Sequence, residues 1–185
     1  MPHDLTLLRR PFSEGIAENS NVGKWAELWL KFLIVQDGSA TLICETIANG
    51  PVRLDIIHQE TTTEVPDDIR AYLAGERFIE RQVCISHQNE VMMDNLTYIS
   101  LEQVDADIQK HLEESQSPIG YIFNAKLTRK RPVPSPESVL SLLWQRSGMP
   151  DPDAARSYIL EVQNNSCMFI TETFRSGMRY GLPLC

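Results

Sequence analysis

The sequence predicts an α+β domain, with one mainly antiparallel six-stranded sheet and helices packed on one face. Two observations predict this class. Six short runs rich in β-branched and aromatic residues fall into three pairs, and polar turn residues join the two runs of each pair. Segments with apolar residues at helical spacing lie between those pairs. Hairpins with helices interspersed are typical of an antiparallel sheet that helices cover.

The composition indicates a single folded domain, which we take as residues 1–185 with an N-terminal arm over 1–20. Of the 185 residues, 42% are apolar and 23% charged, which excludes disordered and low-complexity classes. The 17 basic and 25 acidic residues give a net charge of −8, which argues against nucleic acid as a partner. The apolar runs are too short for a membrane span and the N-terminus has no signal-peptide pattern. We therefore expect a cytoplasmic protein, and no oligomeric state is predicted.

The first third of the chain is predicted to hold a long helix followed by a hairpin. Residues 20–36 carry apolar side chains at helical spacing, which form a wide apolar stripe. Two strand-like runs, 40–47 and 52–59, follow and are joined at Asn49-Gly50, a dipeptide strongly favoured in tight hairpins. The members of the helical stripe are Trp25, Leu28, Trp29, Phe32 and Leu33.

The middle of the chain is predicted to hold a short helix after Pro66 and a second hairpin, 78–85 paired with 91–99. The four residues from Ser100 to Gln103 have the capping-box pattern that commonly opens a helix. We therefore expect a helix over 101–112. Its apolar positions are Leu101, Val104, Ile108 and Leu112.

The last third is predicted to hold one more helix and the third hairpin. The basic run 129–131 is interpreted as a solvated loop, because charge runs usually lie at the surface. A Pro-rich stretch then leads to a helix over 136–146, and we treat 131–155 as a flap with an extra helix. The closing hairpin pairs 157–163 with 167–174.

Cysteine and histidine spacing gives no metal-binding motif. The four cysteines include no Cys-x-x-Cys pair and the four histidines are scattered, so we predict no bound metal. Three cysteines lie in strand-like runs and are expected to be buried, reduced thiols. They are Cys44, Cys84 and Cys167. A catalytic cysteine is the weaker alternative.

Two charged residues occupy strand positions where an apolar side chain is expected. Side chains two residues apart in a strand lie on the same face. Arg81 therefore shares a face with the apolar residues of 79–85, and Glu172 shares one with those of 168–174. A buried charge is costly unless it is paired or meets a ligand. These two residues are therefore the candidate functional residues of the sequence.

Two interpretations of these charges are open. In the first, Arg81 and Glu172 form a structural ion pair with each other, or the buried faces are the reverse of those assigned. A reversal would bury more polar groups than it exposes. In the second, both residues face an enclosed pocket, where Arg81 binds a carboxylate and Glu172 meets a hydroxyl or a proton in transit. The pattern alone does not separate the two.

Five short segments occur in the order and approximate spacing of a known family. They are Leu33–Thr41, Glu80–Val83, Pro118-Ile119-Gly120, Leu127-Thr128-Arg129, and the stretch from Arg156-Ser157-Tyr158 to Ile170–Phe174. Together these segments resemble the chorismate pyruvate-lyase family and the wider chorismate-lyase-like superfamily.

The resemblance implies a biosynthetic carbon–oxygen lyase that needs no cofactor and converts chorismate to 4-hydroxybenzoate and pyruvate. It implies that Arg81 binds the ring carboxylate and Glu172 the hydroxyl end of the product, and that backbone near Ala40 and Ile119 lines the pocket. A protonated Glu172 would donate a hydrogen bond to the departing ether oxygen. The same fold also serves as a non-catalytic, effector-binding module of bacterial repressors, which is the alternative function.

One position departs from the family pattern. Lyases of the family often carry a second basic residue on the strand after the arginine, and here Leu96 stands at about that position. Because chorismate is a dianion, we expect Arg129 or Arg156 to supply the second cation. The expected ligand is a small aromatic or cyclic carboxylic acid.

Overall fold

A computed structural model describes residues 7–17, 20–114 and 128–180 of the chain. Its strands are β1 (Arg53–Thr62), β2 (Phe78–His87), β3 (Glu90–Ser100), β4 (Thr128–Val133), β5 (Ala155–Val162) and β6 (Asn165–Phe174). Its helices are α1 (Asn21–Val35), α2 (Ala40–Ala48), α3 (Asp67–Arg70), α4 (Ala106–Glu114) and α5 (Glu137–Ser147). Six strands of the described residues form one sheet in the order β1-β2-β3-β6-β5-β4, and neighbouring strands are antiparallel throughout. The predicted α+β class and the six-stranded sheet are confirmed.

The strand register places Arg81 and Glu172 on the same face of the sheet. Residues paired across neighbouring strands point to one face. Arg81 pairs with Thr97, and Thr97 pairs with Ile170, which lies two residues before Glu172 on β6. We call the face that carries Arg81 and Glu172 the front face, and the other the back face.

Helices cover the front face in two separate apolar clusters. At one end, α4 packs on the sheet through Ile108 and Leu112, which contact residues such as Ile99 and Met168. At the other end, α1 and α2 pack on the sheet. This second cluster includes Ala26, Leu33, Ala40, Cys44, Ile85, Met93 and Phe174. The middle of the front face, between the two clusters, is left for polar residues.

Helices also cover the back face, so the prediction that helices pack on one face only is incomplete. Helix α5 lies against it through Val139 and Leu143, and Ile69 of α3 joins the same cluster. The sheet residues of this cluster are Phe78, Leu96, Tyr98, Ile159 and Phe169. The central strands are therefore apolar on both faces, so each face needs a cover. The segment 131–155, predicted to be a flap, places its helix on the face opposite Arg81 and Glu172.

The predicted strand over 40–47 is wrong, because these residues form helix α2. Ser39 caps the helix, its side-chain oxygen accepting a hydrogen bond from the Leu42 backbone N–H at 3.3 Å. Asn49, predicted as a hairpin turn, instead ends the helix in the left-handed conformation at φ 53°. A short apolar run fits strand and helix alike, and here the buried positions Ala40, Cys44 and Ala48 recur every four residues.

The basic run 129–131, predicted to be a loop, lies in the edge strand β4. Its residues pair with β5, with Arg131 opposite Ile159 and Pro132 opposite Tyr158. An edge strand tolerates charged side chains and proline because one of its sides makes no ladder hydrogen bonds. The sheet therefore has six strands because β4 is one of them, whereas the predicted strand 40–47 is a helix.

The helix predicted over 101–112 begins later than expected. Residues 101–103 form a single 3-10 turn, and α4 starts at Ala106. The Ser100 hydroxyl donates to the Ala74 carbonyl at 2.6 Å and does not cap the turn, so the capping box is absent. The predicted apolar positions of this segment are nevertheless buried: Leu101, Val104, Ile108 and Leu112.

The described cysteines are buried, as predicted. Cys44, Cys84 and Cys167 form no disulfide. Burial raises the pKa of the Cys84 thiol to about 12, the nearby Asp94 adding to this effect, so this thiol stays protonated at neutral pH. Among the described residues, no helix has the length and apolar character required to cross a membrane.

Candidate functional site

A group of polar side chains occupies the middle of the front face, between the two apolar clusters. Five strands contribute to it. Its members on β2, β3, β6, β5 and β4 are Arg81, Asn95, Thr97, Glu172, Arg156, Tyr158 and Lys130. Arg81 is 1% exposed and Glu172 is 2% exposed, so both charges are held away from solvent. We call this set the front-face polar group.

Glu172 is held by donors on both of its oxygens. The Arg156 guanidinium contacts Glu172 Oε2 through Nε at 2.8 Å and Nη2 at 2.6 Å. The Tyr158 hydroxyl donates to Glu172 Oε1 at 2.8 Å. Arg156 and Tyr158 both project from β5, the strand paired with β6, so the sheet register itself positions these contacts. The ion-pair partner of Glu172 is therefore Arg156, and not Arg81 as in the first of the two interpretations of the sequence.

Arg156 also fastens the end of helix α1 to the sheet. Its Nη1 donates to the backbone carbonyls of Leu33 at 2.8 Å, Ile34 at 3.3 Å and Gln36 at 2.7 Å. These carbonyls lie where α1 ends and lack helical partners, so a guanidinium satisfies them well. Because each of its nitrogens already has a partner, Arg156 suits a positioning residue better than a carboxylate-binding residue.

Lys130 brings another cation to the group from the edge strand. Its Nζ donates to the Gly38 carbonyl at 2.5 Å and lies 4.5 Å from the centre of the Tyr158 ring. Burial lowers the pKa of Lys130, while the charge of Glu172 acts in the opposite direction. Sequence reasoning missed Lys130 because its run was interpreted as a loop. In a strand, alternation would have separated Lys130 from its neighbours Arg129 and Arg131.

The electrostatic balance keeps Glu172 ionised. Burial alone raises the pKa of a carboxyl group, but the charges of Arg156 and Lys130 and the hydrogen bonds from Arg156 and Tyr158 outweigh it. The net result is a lowered pKa. The expectation of a protonated Glu172 that donates a hydrogen bond is therefore wrong, because it counted desolvation without the neighbouring cations.

Arg81 lies across the face from Glu172, with β3 between them. The two residues are two strands apart and offset by two positions, which puts their Cα atoms roughly 12 Å apart at ordinary strand spacing. Between them on β3, the Thr97 hydroxyl donates to Asn95 Oδ1 at 2.7 Å. Burial lowers the pKa of the Arg81 guanidinium. The front face thus has a cation and a carboxylate at two ends of a short polar floor.

The other sequence-predicted site residues are placed differently. Arg129 is exposed and pairs with Glu161, so it points to the back face and does not join the group. Ala40 is the first residue of α2. Cys44 lies on the same helix near Glu172, and burial together with the negative charge of Glu172 raises the pKa of the Cys44 thiol. Ile119 lies outside the described residues. Leu96 packs on the back face, so the missing cation would not stand there.

A cavity of about 250 Å³ opens beside the group, between the end of α1 and the β4–β5 edge. Its walls include Gln36, Lys130, Ser135, Arg156 and Tyr158. Arg156 and Tyr158, the two side chains that hold Glu172, are thus part of the cavity wall. Its volume suits a small organic acid or part of one.

Among the described residues, one group has the atoms for a metal site, and it lies on another part of the sheet. Ligand atoms of His58, Glu60 and Glu80 lie within 4.8 Å of one another. Arg146 Nη2, however, contacts Glu80 Oε1 at 2.5 Å, and this cation occupies the most buried of the three possible ligands. Since a guanidinium already neutralises that carboxylate, the set fits a metal ion poorly.

The fold and this group define an α+β protein with a buried, cation-rich polar site on one face of its sheet. The chain belongs to the family described as chorismate pyruvate-lyase Rv2949c-like, whose model matches residues 34–180. The match includes every member of the front-face polar group. The family resemblance seen in the sequence is confirmed.

Solved structures with a similar fold are distant in sequence. The ligand-binding domain of a GntR-family transcriptional regulator from Bordetella bronchiseptica is 13% identical with a TM-score of 0.45, and the match covers 66% of this chain and 85% of that one. A GntR-family regulator from Bacillus cereus is 10% identical with a TM-score of 0.42, covering 67% and 91% of the respective chains. Comparison with curated proteins gives no significant match.

Proposed function

We propose that the protein is a cofactor-independent lyase that converts chorismate to 4-hydroxybenzoate and pyruvate on the front face of its sheet. The observation that carries the proposal is the placement of two buried charged residues, Arg81 and Glu172, on one face of the sheet. Lys130 and Arg156 lie on the same face, on β4 and β5, and Glu172 is ionised. Fixed cations on this face suit a dianion such as chorismate, in a chain whose net charge is −8.

The arrangement of the charges suits the shape of the substrate. Arg81 binds the ring carboxylate, and Glu172 accepts a hydrogen bond from the ring hydroxyl at the other end. Lys130, beside the 250 Å³ cavity, is the cation for the second carboxylate on the enolpyruvyl side chain. Arg156 and Tyr158 are positioning residues, because they act through Glu172.

The reaction needs no external acid or oxidant. The ring C–O bond to the side chain breaks, and the proton on the neighbouring ring carbon passes to the methylene carbon of the departing side chain. The side chain leaves as pyruvate and the ring becomes aromatic. The protein then has to hold the side chain against that proton and stabilise negative charge on the departing oxygen, which fixed cations can do.

A second candidate is a module that binds a small carboxylate without turning it over. Both oxygens of Glu172 already accept hydrogen bonds from the protein, so the carboxylate is held in one position, as a binding group requires. This candidate keeps the roles of Arg81 and Lys130 and removes only the chemical step.

Incubation with chorismate, with pyruvate and 4-hydroxybenzoate measured together, tests the proposal. We expect both products in equal amounts, and about a tenfold or larger rise in KM for Lys130→Met. Arg129→Met is the matched control, since Arg129 lies one residue away but on the back face, and it should behave as the wild type. Binding of 4-hydroxybenzoate without turnover of chorismate would favour the binding module. Turnover that Lys130→Met leaves unchanged would remove Lys130 from the site.

A further inference from the structure

The outward face of α1 is apolar, although the core does not use it. Trp25 is 68% exposed, Leu28 57%, Phe32 50% and Val35 77%. Leu42 of α2 is also exposed, at 59%. Together these side chains expose an apolar area on the order of 600 Å², the upper end of what a monomer normally leaves in water. The apolar stripe predicted from the sequence is therefore real, but most of it points away from the sheet.

The spacing of these residues is that of a seam between two helices. Trp25, Leu28, Phe32 and Val35 are separated by three, four and three residues, which is the pattern of a and d positions in a heptad. Helix α1 contacts its own core through a different side, where Leu33 is fully buried. The helix thus has one seam for the core and a second seam directed outward.

We propose that this outward seam is the interface with a second copy of the chain, in which two α1 helices pack antiparallel about a two-fold axis. Antiparallel packing sets Trp25 against the partner's Val35 and Leu28 against the partner's Phe32. Each contact then joins a large side chain to a smaller one, which suits close packing. A parallel arrangement would set Trp25 against the partner's Trp25. An isologous contact of this kind closes on itself as a dimer.

Area and charge favour a second copy as the occupant. A stable interface buries about 800 Å² on each partner, and the exposed apolar side chains of α1 and α2 supply most of that area. Helix α1 carries Lys24, Glu27 and Lys31 and so has a net charge of +1, whereas the whole chain carries −8. Two acidic chains can therefore approach with little repulsion at this helix. The inference does not depend on the proposed function.

Sedimentation equilibrium over the micromolar range tests the interface. The wild type is expected to be a dimer, and Leu28→Glu a monomer with an unchanged far-ultraviolet spectrum, because Leu28 is exposed in the single chain. The matched control is Ile57→Glu on β1, at an apolar residue that is 44% exposed and lies outside the seam. It should remain a dimer. A monomeric wild type, or a Leu28→Glu variant that still dimerises, would overturn the proposal.

Cross-linking tests the orientation. Chains carrying Leu28→Cys and chains carrying Phe32→Cys are mixed under mild oxidation, each in a Cys185→Ser background and with different mass tags. Antiparallel packing predicts disulfides between unlike chains. Disulfides mainly between like chains would contradict the antiparallel arrangement.

Discussion

The two faces of the sheet each bury a carboxylate between cations, and the two groups differ in what surrounds them. On the back face, Asp94 accepts from Arg9 Nε at 3.0 Å and from Arg175 Nε at 2.8 Å. Arg175 Nη2 also donates a hydrogen bond to the Met149 carbonyl at 2.7 Å. On the front face, Glu172 accepts from Arg156 and Tyr158. The local chemistry of the two carboxylates is therefore nearly the same.

The neighbours decide what each group can do. The Asp94 group joins the N-terminal segment, β3, the residue after β6 and the end of α5, and it lies among packed chain segments. The Glu172 group has a cavity of about 250 Å³ beside it and a second buried cation, Arg81, on the same face. We infer that the Asp94 group stabilises the fold and that the Glu172 group serves a ligand. A buried ion pair is thus not by itself a mark of function.

The largest expected effect is the loss of stability when either carboxylate is neutralised. Asp94→Asn leaves Arg175 buried without its counter-charge, and Glu172→Gln does the same to Arg156. Each should lower the free energy of unfolding by about 3–5 kcal/mol, measured by urea denaturation. Lys31→Gln, which breaks an exposed pair on α1, should leave the urea midpoint unchanged. A mild effect of Asp94→Asn would contradict its role as a structural tie.

Removing both partners of each pair should separate the two roles. Glu172→Leu with Arg156→Met, and Asp94→Leu with Arg175→Met, should each recover most of the stability that the single changes lose, because the most buried guanidinium is removed together with its carboxylate. Arg9, the other partner of Asp94, is partly exposed and keeps its contact with water. Turnover of chorismate should fall at least about 100-fold in the first double variant and stay near that of the wild type in the second. Equal losses of turnover in the two would show that both groups act only through the fold.

Arg81→Met should weaken ligand binding while leaving the fold intact. The change removes the charge-assisted contact that the proposed function assigns to the ring carboxylate, worth roughly 2 kcal/mol or more in a desolvated site. Calorimetric titration with 4-hydroxybenzoate should show Kd rising about 30-fold. Arg146→Met, which removes a back-face arginine from Glu80, is the comparison variant and should bind as tightly as the wild type. Unchanged binding by Arg81→Met would remove Arg81 from the site.

The smallest expected effect is a pH dependence specific to Glu172. Its pKa is lowered in the folded state from an ordinary value of 4.5, because its neighbouring cations outweigh burial. The stability that its charge contributes is therefore fully present above pH 4.5 and is lost as the pH falls below that value, through the folded-state pKa. The difference in unfolding free energy between wild type and Glu172→Gln should shrink between pH 6 and pH 3. A constant difference would show that Glu172 is not ionised in the fold.

Local sequence patterns were sufficient to predict the strands at the centre of the sheet and the two charged residues that stand out on them. The runs 78–85, 91–99 and 167–174 have apolar residues and turn residues that leave little choice of structure, and all three became strands. Arg81 and Glu172 were visible because strand alternation has a period of two, so a charge in an apolar row is conspicuous without any tertiary information.

The outer elements of the sheet and the partners of the buried charges depend instead on contacts between segments distant in sequence. The run 40–48 forms a helix because burial of every fourth residue in the core outweighs its strand-like composition. The run 128–133 forms a strand because it pairs with the outer side of β5. Glu172 pairs with Arg156 because β5 lies beside β6. Lys130 lies near both because β4 lies beside β5. Strand neighbours are set by packing between segments distant in sequence, and local patterns carry no information on that choice.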